Sequence, residues 1–426
     1  GDRIKQEGRG VALTATHRGA VQWPMDRAFG RSPTFLVGTE RQKHILEEFQ
    51  RRDQHLSEQY QTHKPLCFNA NAYQKTHPKK MLNGHKDADA TLVSPMLLGV
   101  ADGVSQIEEF GMDASELPNE LLHMCEDIAM SQLLPGKAGH TEYLGPIPLM
   151  RDAYEATESL GSTTVLLAIL DNSTQIHGKL HPMIAVLSIG DCEILILRRS
   201  DGRESAFQAV FHTEMQRIDG HCQSPLQVAR VDERVDPQFD ESLAIDVIER
   251  GSAVHCLSAY EGDILVLGSD GVFDNLFLDE VVDICNEMLP RQEHGGGHVP
   301  LDPAILGDVA RRIVEASHAK TRTDGGGNFP ETPIGKGGKV DDTCCVVGEV
   351  LEWTSAHTEA WGRTRRNRQW HSLFNCGDSF QGCCEEGDDG AGEEDEESEG
   401  FNEHQKVRKL AAGRGDDDED DHCCIL

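Results

Sequence analysis

Two segments of the sequence end a short apolar run with the same pair of residues, Asp-Gly. The first is Leu97-Leu98-Gly99-Val100-Ala101 followed by Asp102-Gly103, and the second is Ile264-Leu265-Val266-Leu267-Gly268-Ser269 followed by Asp270-Gly271. An apolar run of this length that stops at a turn signal predicts a buried strand. Each strand would hold a carboxylate at its open end, where the carboxylate could meet a metal ion.

Further acidic residues fall at predicted strand ends or in loops beside strands: Asp191, Asp341, and either Asp87 or Asp89. Aspartate is disfavoured inside strands, so each one marks a turn or a site. Turn formation explains any single aspartate well, but it explains poorly a series in which each lies beside glycine or a second acid. Hard oxygen ligands without soft ones indicate Mg²⁺ or Mn²⁺ and not zinc. Two such ions could bind phosphate oxygens and activate a bridging water for in-line attack on phosphorus.

The elements that must position these residues can be predicted from hydrophobic periodicity. Strands are predicted at 91–93, 97–101, 163–170, 182–189, 193–197, 206–211, 253–256, 264–267 and 343–350, the first two as a hairpin. Helices are predicted at 117–128, 149–160, 279–289 and 303–319. Residues 214–250 show no clear periodicity and receive no assignment. Helices grouped between runs of strands favour an α+β fold in which antiparallel sheets are covered by helix pairs.

Composition limits the classes of function and the compartment. The formal net charge of −33 over 426 residues argues against nucleic-acid binding, which needs basic surfaces. The 13 cysteines include no C-x-x-C pair, so a zinc ribbon or thioredoxin-like motif is not expected. Neither a signal peptide nor a membrane-spanning run is evident, and we therefore expect a reduced, intracellular and cytoplasmic protein.

Several motifs, in order along the chain, resemble those of the PPM-type (type 2C) metal-dependent serine/threonine phosphatases. They are Gly-Val-Ala-Asp102-Gly103-Val, Gly161-Ser162-Thr163-Thr164, Ile189-Gly190-Asp191, Gly-Ser-Asp270-Gly271-Val-Phe-Asp274-Asn275 and Gly337-Gly338-Lys339-Val-Asp341-Asp342-Thr343. The first motif reads Asp-Gly-Val and not Asp-Gly-His, which is similar to the branch of the T-cell-activation phosphatase homologues. The resemblance covers roughly residues 66–353.

This resemblance implies a β-sandwich of two antiparallel sheets flanked by pairs of helices, with a binuclear metal site at one end. It implies that Asp102 bridges two Mg²⁺ or Mn²⁺ ions, that the Gly103 carbonyl ligates one, and that Asp270 and Asp341 hold the other. Asp191 would serve a third, looser ion. The activity that it implies is hydrolysis of phosphoserine and phosphothreonine in protein substrates.

The chain also departs from the family pattern. The ungapped match of the early acidic motif places Lys86-Asp87-Ala88 where the family has Glu-Asp-Ala, and a shift to Asp89 is the alternative. The family's upstream phosphate-binding arginine has no evident counterpart, so His85 or Lys86 is expected to replace it. Val104 stands where many members have a histidine proposed as general acid. These departures support an alternative, a pseudophosphatase with the same fold that acts as a phosphoprotein-binding scaffold; a nucleotide or small-metabolite phosphatase is a weaker third hypothesis.

We expect three regions along the chain: a polar, disordered extension at 1–64, the catalytic domain at 65–353, and a disordered acidic tail at 354–426. The last four residues, Cys423-Cys424-Ile425-Leu426, form a C-a-a-X box that favours geranylgeranylation of Cys423. One lipid anchors weakly, so stable membrane attachment would need a second signal, such as palmitoylation of Cys383-Cys384 or the basic patch at 406–409. A membrane tether through the tail is therefore an expectation.

Overall fold

The computed structural model describes residues 64–82, 86–136, 142–176, 179–200, 206–218, 224–291 and 298–363. Its strands are β1 (Leu66–Lys75), β2 (Asp89–Val93), β3 (Leu97–Asp102), β4 (Gly161–Thr163), β5 (Val165–Asp171), β6 (Gln175–Ile176), β7 (Lys179–Leu180), β8 (Met183–Ile189), β9 (Glu193–Arg199), β10 (Phe207–His212), β11 (Val228–Arg230), β12 (Ala253–Ser258), β13 (Ile264–Gly268), β14 (Glu331–Thr332), β15 (Gly335–Lys336) and β16 (Thr343–Glu352). Its helices are α1 (Pro78–Leu82), α2 (Glu116–Leu133), α3 (Pro146–Ala156), α4 (Glu241–Asp246), α5 (Asp270–Phe273), α6 (Leu278–Met288) and α7 (Pro303–Lys320).

Two five-stranded sheets form the centre of the fold. The first has the strand order β1-β16-β13-β9-β10 and the second has the order β12-β8-β5-β3-β2. Neighbouring strands in both sheets are antiparallel. The predicted α+β sandwich of two antiparallel sheets is therefore confirmed.

Alternating side chains of each strand enter different cores, which explains why the strands are apolar on both faces. Leu98 of β3 and Leu265 of β13 lie in the core between the two sheets. Their neighbours Leu97 and Val266 lie in the cores beneath the helices. Helices α2 and α3 pack on the second sheet, whereas α6 and α7 pack on the first, so the layers have the order helix, sheet, sheet, helix. Burial on both faces makes a continuous apolar run a good strand signal in this chain.

The structure corrects several element boundaries. The predicted helix at 149–160 is α3, which begins three residues earlier because Gly145 precedes it and Pro146 fits the first helical turn. The predicted strand at 163–170 is divided into β4 and β5 at Thr164. The short helix α1 lies in a segment for which no helix was predicted.

The unassigned segment 214–250 contains β11, α4 and the start of a π-helical turn at Val247–Gly251. The extension at 1–63 and the tail from 364 lie outside the described residues, so the predicted domain limits stay predictions. Within the described ranges, no helix is both long and apolar enough to cross a membrane.

Candidate active site

The β2–β3 hairpin places two aspartates side by side at one end of the second sheet. In the antiparallel register of this hairpin, Asp89 is directly opposite Asp102. Asp89 is almost fully buried, and its Oδ2 accepts a hydrogen bond of 2.9 Å from Ser269 Oγ. Since Ser269 comes directly after β13, this bond connects the hairpin to the other sheet.

The first sheet brings two more aspartates to the same place. Asp270 begins α5 just beyond the end of β13, and Asp341 lies two residues before β16. Strands β13 and β16 are paired, with Gly268 opposite Cys345, so their adjoining segments meet at one edge. Ser269 Oγ also accepts a hydrogen bond of 3.2 Å from the Cys344 backbone N–H, which ties the two segments together.

Burial, and after it mutual repulsion, raises the pKa of three of these carboxyl groups. Burial and the neighbouring charges of Asp89, Asp270 and Asp341 raise the pKa of Asp102 well above its usual range. Burial and Asp87 do the same to the pKa of Asp89. Burial raises the pKa of Asp270 to about 7, although Lys339 acts in the opposite direction. A group of acids that repel one another in this way is stabilised by bound cations.

Two lysines supply positive charge to the aspartates. Lys339 Nζ contacts the Asp270 carboxylate and lies 2.7 Å from Asp341 Oδ2. Lys80 Nζ, from α1, lies 2.8 Å from Asp341 Oδ1 and 2.9 Å from Asp342 Oδ2. Burial alone would raise the pKa of Asp341, but the two lysines outweigh it and lower that pKa.

Asp191 lies in a neighbouring group with Arg217. Arg217 Nε is 2.9 Å from Asp191 Oδ2, and its Nη2 is 2.8 Å from Asp274 Oδ2 and 3.6 Å from Asp270 Oδ2. Burial raises the pKa of Asp191 despite this pairing. Burial and Asp274 raise the pKa of Glu193 to about 7. Asp270 is near Arg217 and also contacts Lys339, so it connects the Asp191 group to Lys339.

The other predicted site residues differ in how near they lie to these aspartates. Of the two candidates for the early acid, Asp89 is opposite Asp102, whereas Asp87 accepts hydrogen bonds from the Asp89 N–H and from Gln74. Lys86 is exposed and pairs with Asp113 at 2.7 Å, so it does not meet the aspartates as the phosphate-binding hypothesis expected. His85 and Cys423 lie outside the described residues. Gly103 is next to Asp102 and donates its N–H to the Ala88 carbonyl at 3.1 Å.

The oxygen atoms of the site fit a hard cation. Within the described part of the chain, Asp89 Oδ1, Asp191 Oδ1, Asp270 Oδ1 and Asp342 Oδ1 are buried and have no hydrogen-bond partner. Buried carboxylate oxygens without partners are costly unless a cation binds them. In the same described ranges, no three His, Cys, Asp or Glu side chains are grouped so that they could hold a metal ion as they stand. Lys339 contacts carboxylate oxygens of Asp270 and Asp341, and Lys80 contacts one of Asp341, so both lysines would compete with a bound cation for these oxygens.

A buried polar network fixes the segments that carry Asp270 and Asp341. Asn275 Nδ2 donates to the Gly271 carbonyl at 3.1 Å and to the Lys339 carbonyl at 3.0 Å. The Lys339 N–H in turn donates to Asn275 Oδ1 at 2.6 Å. From α7, Ser317 Oγ donates to the Gly271 carbonyl at 2.5 Å, and His318 Nε2 lies 3.1 Å from Thr343 Oγ1. Helix α7 therefore positions both segments.

Sequence reasoning selected Asp102, Asp191, Asp270 and Asp341 but did not select Lys80, Lys339 or Arg217. Lys339 stands inside the last of the family-like motifs, two residues before Asp341, and this position was the available signal. Lys80 and Arg217 reach aspartates that are distant in the sequence, so no spacing pattern could identify them.

Comparisons with known proteins give sequence relatives of one kind. No family model matches the sequence. "Probable protein phosphatase 2C 62" of Arabidopsis thaliana is 26% identical over 277 residues, which is 64% of this chain and 32% of the relative. "Probable protein phosphatase 2C 1" of Oryza sativa subsp. japonica is 27% identical over 277 residues, 64% of this chain and 72% of the relative. "Probable protein phosphatase 2C 26" of Arabidopsis thaliana is 27% identical over 288 residues, 65% of this chain and 81% of the relative.

The matched part of the chain spans about a third of the first of these relatives and most of the other two. Among solved structures, that of the photosystem II phosphatase PBCP aligns with 67% of this chain and 99% of its own, at 23% identity and a TM-score of 0.46. These three sequence relatives share one description. The chain is thus similar, over 64–65% of its length, to proteins named as protein phosphatases 2C.

Proposed function

We propose that the chain is a Mg²⁺- or Mn²⁺-dependent phosphatase that hydrolyses phosphoserine and phosphothreonine in protein substrates. The observation that carries this proposal is the meeting of Asp89, Asp102, Asp270 and Asp341, two from each sheet, at one end of the sandwich. Their crowding and the partnerless oxygens of Asp89 and Asp270 indicate a cation site of hard ligands.

Each aspartate has a place in this proposal. Asp102 would hold both ions, the Gly103 carbonyl would hold one of them, and Asp270 and Asp341 would hold the other. Asp89 takes the role of the early acid, because it is opposite Asp102 in the hairpin. When bound, the two divalent ions supply Lewis acidity toward the phosphate oxygens and lower the pKa of a water nucleophile. Val104 has no proton to donate to the leaving group, so water or another residue would supply that proton.

The finer assignments are part of the proposal. They are the branch of the T-cell-activation phosphatase homologues, the choice between Mg²⁺ and Mn²⁺, a count of two catalytic ions, and a phosphate-binding role for His85, since Lys86 is paired with Asp113. The Asp-Gly-Val motif at Asp102-Gly103-Val104 supports the branch, and the oxygen-only ligand set supports the ions.

The alternative is a scaffold that keeps the fold but lacks turnover. The ion pair of Lys86 with Asp113 and the valine at position 104 favour it. The clustered aspartates favour the enzyme, because a scaffold has no need for repelling buried carboxylates.

The proposal is tested by hydrolysis of p-nitrophenyl phosphate and of a phosphothreonine peptide with Mn²⁺, Mg²⁺ or EDTA. We expect metal-dependent turnover in the wild type and a loss of about 100-fold or more in Asp270→Asn, as when one electrostatic stabiliser is removed. Asp308→Asn, an exposed change on α7, is the matched control and should keep full activity. Absence of turnover with every metal, together with absence of metal binding by calorimetry, would favour the scaffold.

Prenylation of Cys423, and with it membrane attachment and a cytoplasmic location, also stays a proposal. The C-a-a-X sequence supports it. Mass spectrometry of the C-terminal peptide from expressing cells is the direct measurement, and an unmodified peptide would contradict the lipid anchor.

A further inference from the structure

Arg217 makes contacts with three aspartates of the site at once. Its guanidinium lies 2.9 Å from Asp191, 2.8 Å from Asp274 and 3.6 Å from Asp270. The side chains of these aspartates are at most 6% exposed, and that of Arg217 is 24% exposed. A planar guanidinium can bridge two carboxylates, and it remains charged under all ordinary conditions.

The backbone beside Arg217 is held in place by the turn that carries Asp191. The Gln216 N–H donates to the Gly190 carbonyl at 2.8 Å, and the Gly190 N–H donates to Gln216 Oε1 at 3.0 Å. Gln216 Nε2 also donates to the Gly251 carbonyl at 3.0 Å. Three hydrogen bonds therefore fix the neighbouring residue Gln216. Because of this, the local fold directs Arg217 toward Asp191, and Arg217 does not reach it as a free surface side chain.

The contacts of Arg217 place its positive charge against one carboxylate oxygen of each of the three aspartates that surround this position. Asp191 Oδ2 and Asp274 Oδ2 accept from the guanidinium, and Asp270 Oδ2 lies close to it. A divalent ion at this place would have to approach a fixed positive charge. Burial would lower the pKa of Arg217, but Asp274 and Asp191 outweigh burial and raise it, which reflects the strength of the pairing.

We propose that Arg217 is a built-in cation that occupies the third cation position, between Asp191, Asp270 and Asp274, so that this position takes no metal ion. The inference rests on the proposed function only in that the neighbouring aspartates bind divalent ions. In this arrangement Asp191 holds Arg217 in place. Arg217 offsets part of the negative charge of Asp270, and Asp270 can still bind a catalytic ion.

An ordinary structural ion pair is the competing explanation, and it predicts different behaviour. Loss of an ordinary pair would lower the stability of the protein equally with and without metal. Loss of a built-in cation would instead open a site that a divalent ion can fill.

The experiment counts Mn²⁺ ions bound to the full chain by equilibrium dialysis and metal analysis, and it measures the melting temperature in EDTA and in Mn²⁺. We expect Arg217→Gln to bind one more Mn²⁺ per chain than the wild type and to show a larger rise in melting temperature on Mn²⁺ addition. Arg250→Gln, which removes an exposed arginine paired with Asp246, is the matched control and should behave as the wild type. Equal ion counts and equal rises in Arg217→Gln and the wild type would overturn the inference.

A second variant, Asp191→Asn, tests the same inference by its Mn²⁺ count if Arg217→Gln does not fold. Asparagine preserves the shape of the side chain, and Arg217 keeps its contact with Asp274. We expect the Mn²⁺ count of Asp191→Asn to equal that of the wild type, whereas loss of one ion would overturn the inference. Failure of the proposed function would appear separately, as absence of Mn²⁺ binding and turnover in the wild type.

Discussion

Lys339 shows at the scale of one residue how the site is balanced without metal. Its ammonium contacts Asp270 and Asp341, the two aspartates that the first sheet contributes. It thereby offsets part of the negative charge and also competes with any ion for the same oxygens. One side chain is expected to affect metal-free stability and metal affinity in opposite directions.

We therefore predict that Lys339→Met binds Mn²⁺ more tightly than the wild type, by about fivefold, since an ion pair of this exposure is worth on the order of 1 kcal/mol. The same variant should melt at a lower temperature in EDTA, because the aspartates lose a counter-charge. Isothermal titration calorimetry and thermal melting measure the two effects. Lys336→Met, an exposed change on β15, is the control. A weaker Mn²⁺ affinity in Lys339→Met would show that the lysine assists the ion and does not compete with it.

At the residue scale, the sequence predicted the acids of the site better than its cations. Asp102 and Asp270 come at the ends of apolar strands, so their position could be read from local pattern. Lys80 reaches Asp341 across 261 residues of sequence, and only the pairing of β1 with β16 brings their neighbourhoods together. Contacts of this kind depend on the folded topology and leave no local signal.

At the scale of elements, each of the two Asp-Gly segments has a glycine that is tightly enclosed by another stretch of backbone. A Cβ on Gly103 would lie 2.2 Å from the Ala114 carbonyl oxygen, and one on Gly271 would lie 2.3 Å from the Asp342 carbonyl oxygen. Glycine is required because another backbone segment passes where a side chain would begin. These backbone contacts hold each aspartate at the end of its strand.

Gly271→Ala is expected to lower the free energy of unfolding by about 1–3 kcal/mol, the usual cost of overpacking, and to weaken Mn²⁺ binding as Asp270 shifts. Chemical denaturation with and without Mn²⁺ measures both. Gly325→Ala is the control, because a Cβ there would meet nothing within 4 Å. Unchanged stability in Gly271→Ala would mean that the Asp342 backbone can move aside without cost.

Elements were predicted well where they are long and buried, and poorly where they are short. The exception is β1, a strand of ten residues that was not predicted and is only half-buried over most of its length. Strands β13 and β16 and helix α7 agree with the sequence prediction to within a few residues, because their apolar periodicity extends over the whole element. Helix α1 has five residues, none of them buried, and so had no apolar pattern to detect. The three residues of β11 are defined by pairing with β4, which the sequence does not reveal.

At the scale of the whole molecule, two buried histidines connect the first sheet, α7 and the segment after it. His77 Nε2 lies 3.0 Å from Thr321 Oγ1, and His318 Nε2 lies 3.1 Å from Thr343 Oγ1. Their rings meet edge to face, 5.0 Å between centroids. Burial and then His77 lower the pKa of His318 to about 4, and Lys75 and Arg322 act in the same direction.

Protonation of His318 is therefore expected to contribute to acid unfolding. Because the folded pKa is lower than the unfolded value of about 6.5, the neutral histidine supports full stability above pH 6.5, and this stability is lost as the pH falls toward 4. We predict that His318→Gln reduces the loss of unfolding free energy over this range by on the order of 2 kcal/mol. Urea denaturation in EDTA at several pH values measures the slope. His123→Gln, an exposed change on α2, should leave the slope unchanged, and an equal slope in His318→Gln would assign the acid sensitivity to other groups.

The two-sheet origin of the aspartates has a consequence for ion size. Asp89 and Asp102 belong to one sheet and Asp270 and Asp341 adjoin the other, while Leu98, Leu267 and Val346 fill the space between the sheets. We therefore expect the separation of the two aspartate pairs to depend on the volume of these apolar side chains. Mg²⁺ requires oxygen ligands at about 2.0–2.1 Å, whereas Ca²⁺ accepts about 2.3–2.6 Å. The apolar interior, as well as the carboxylates, would therefore affect which size of ion this protein prefers.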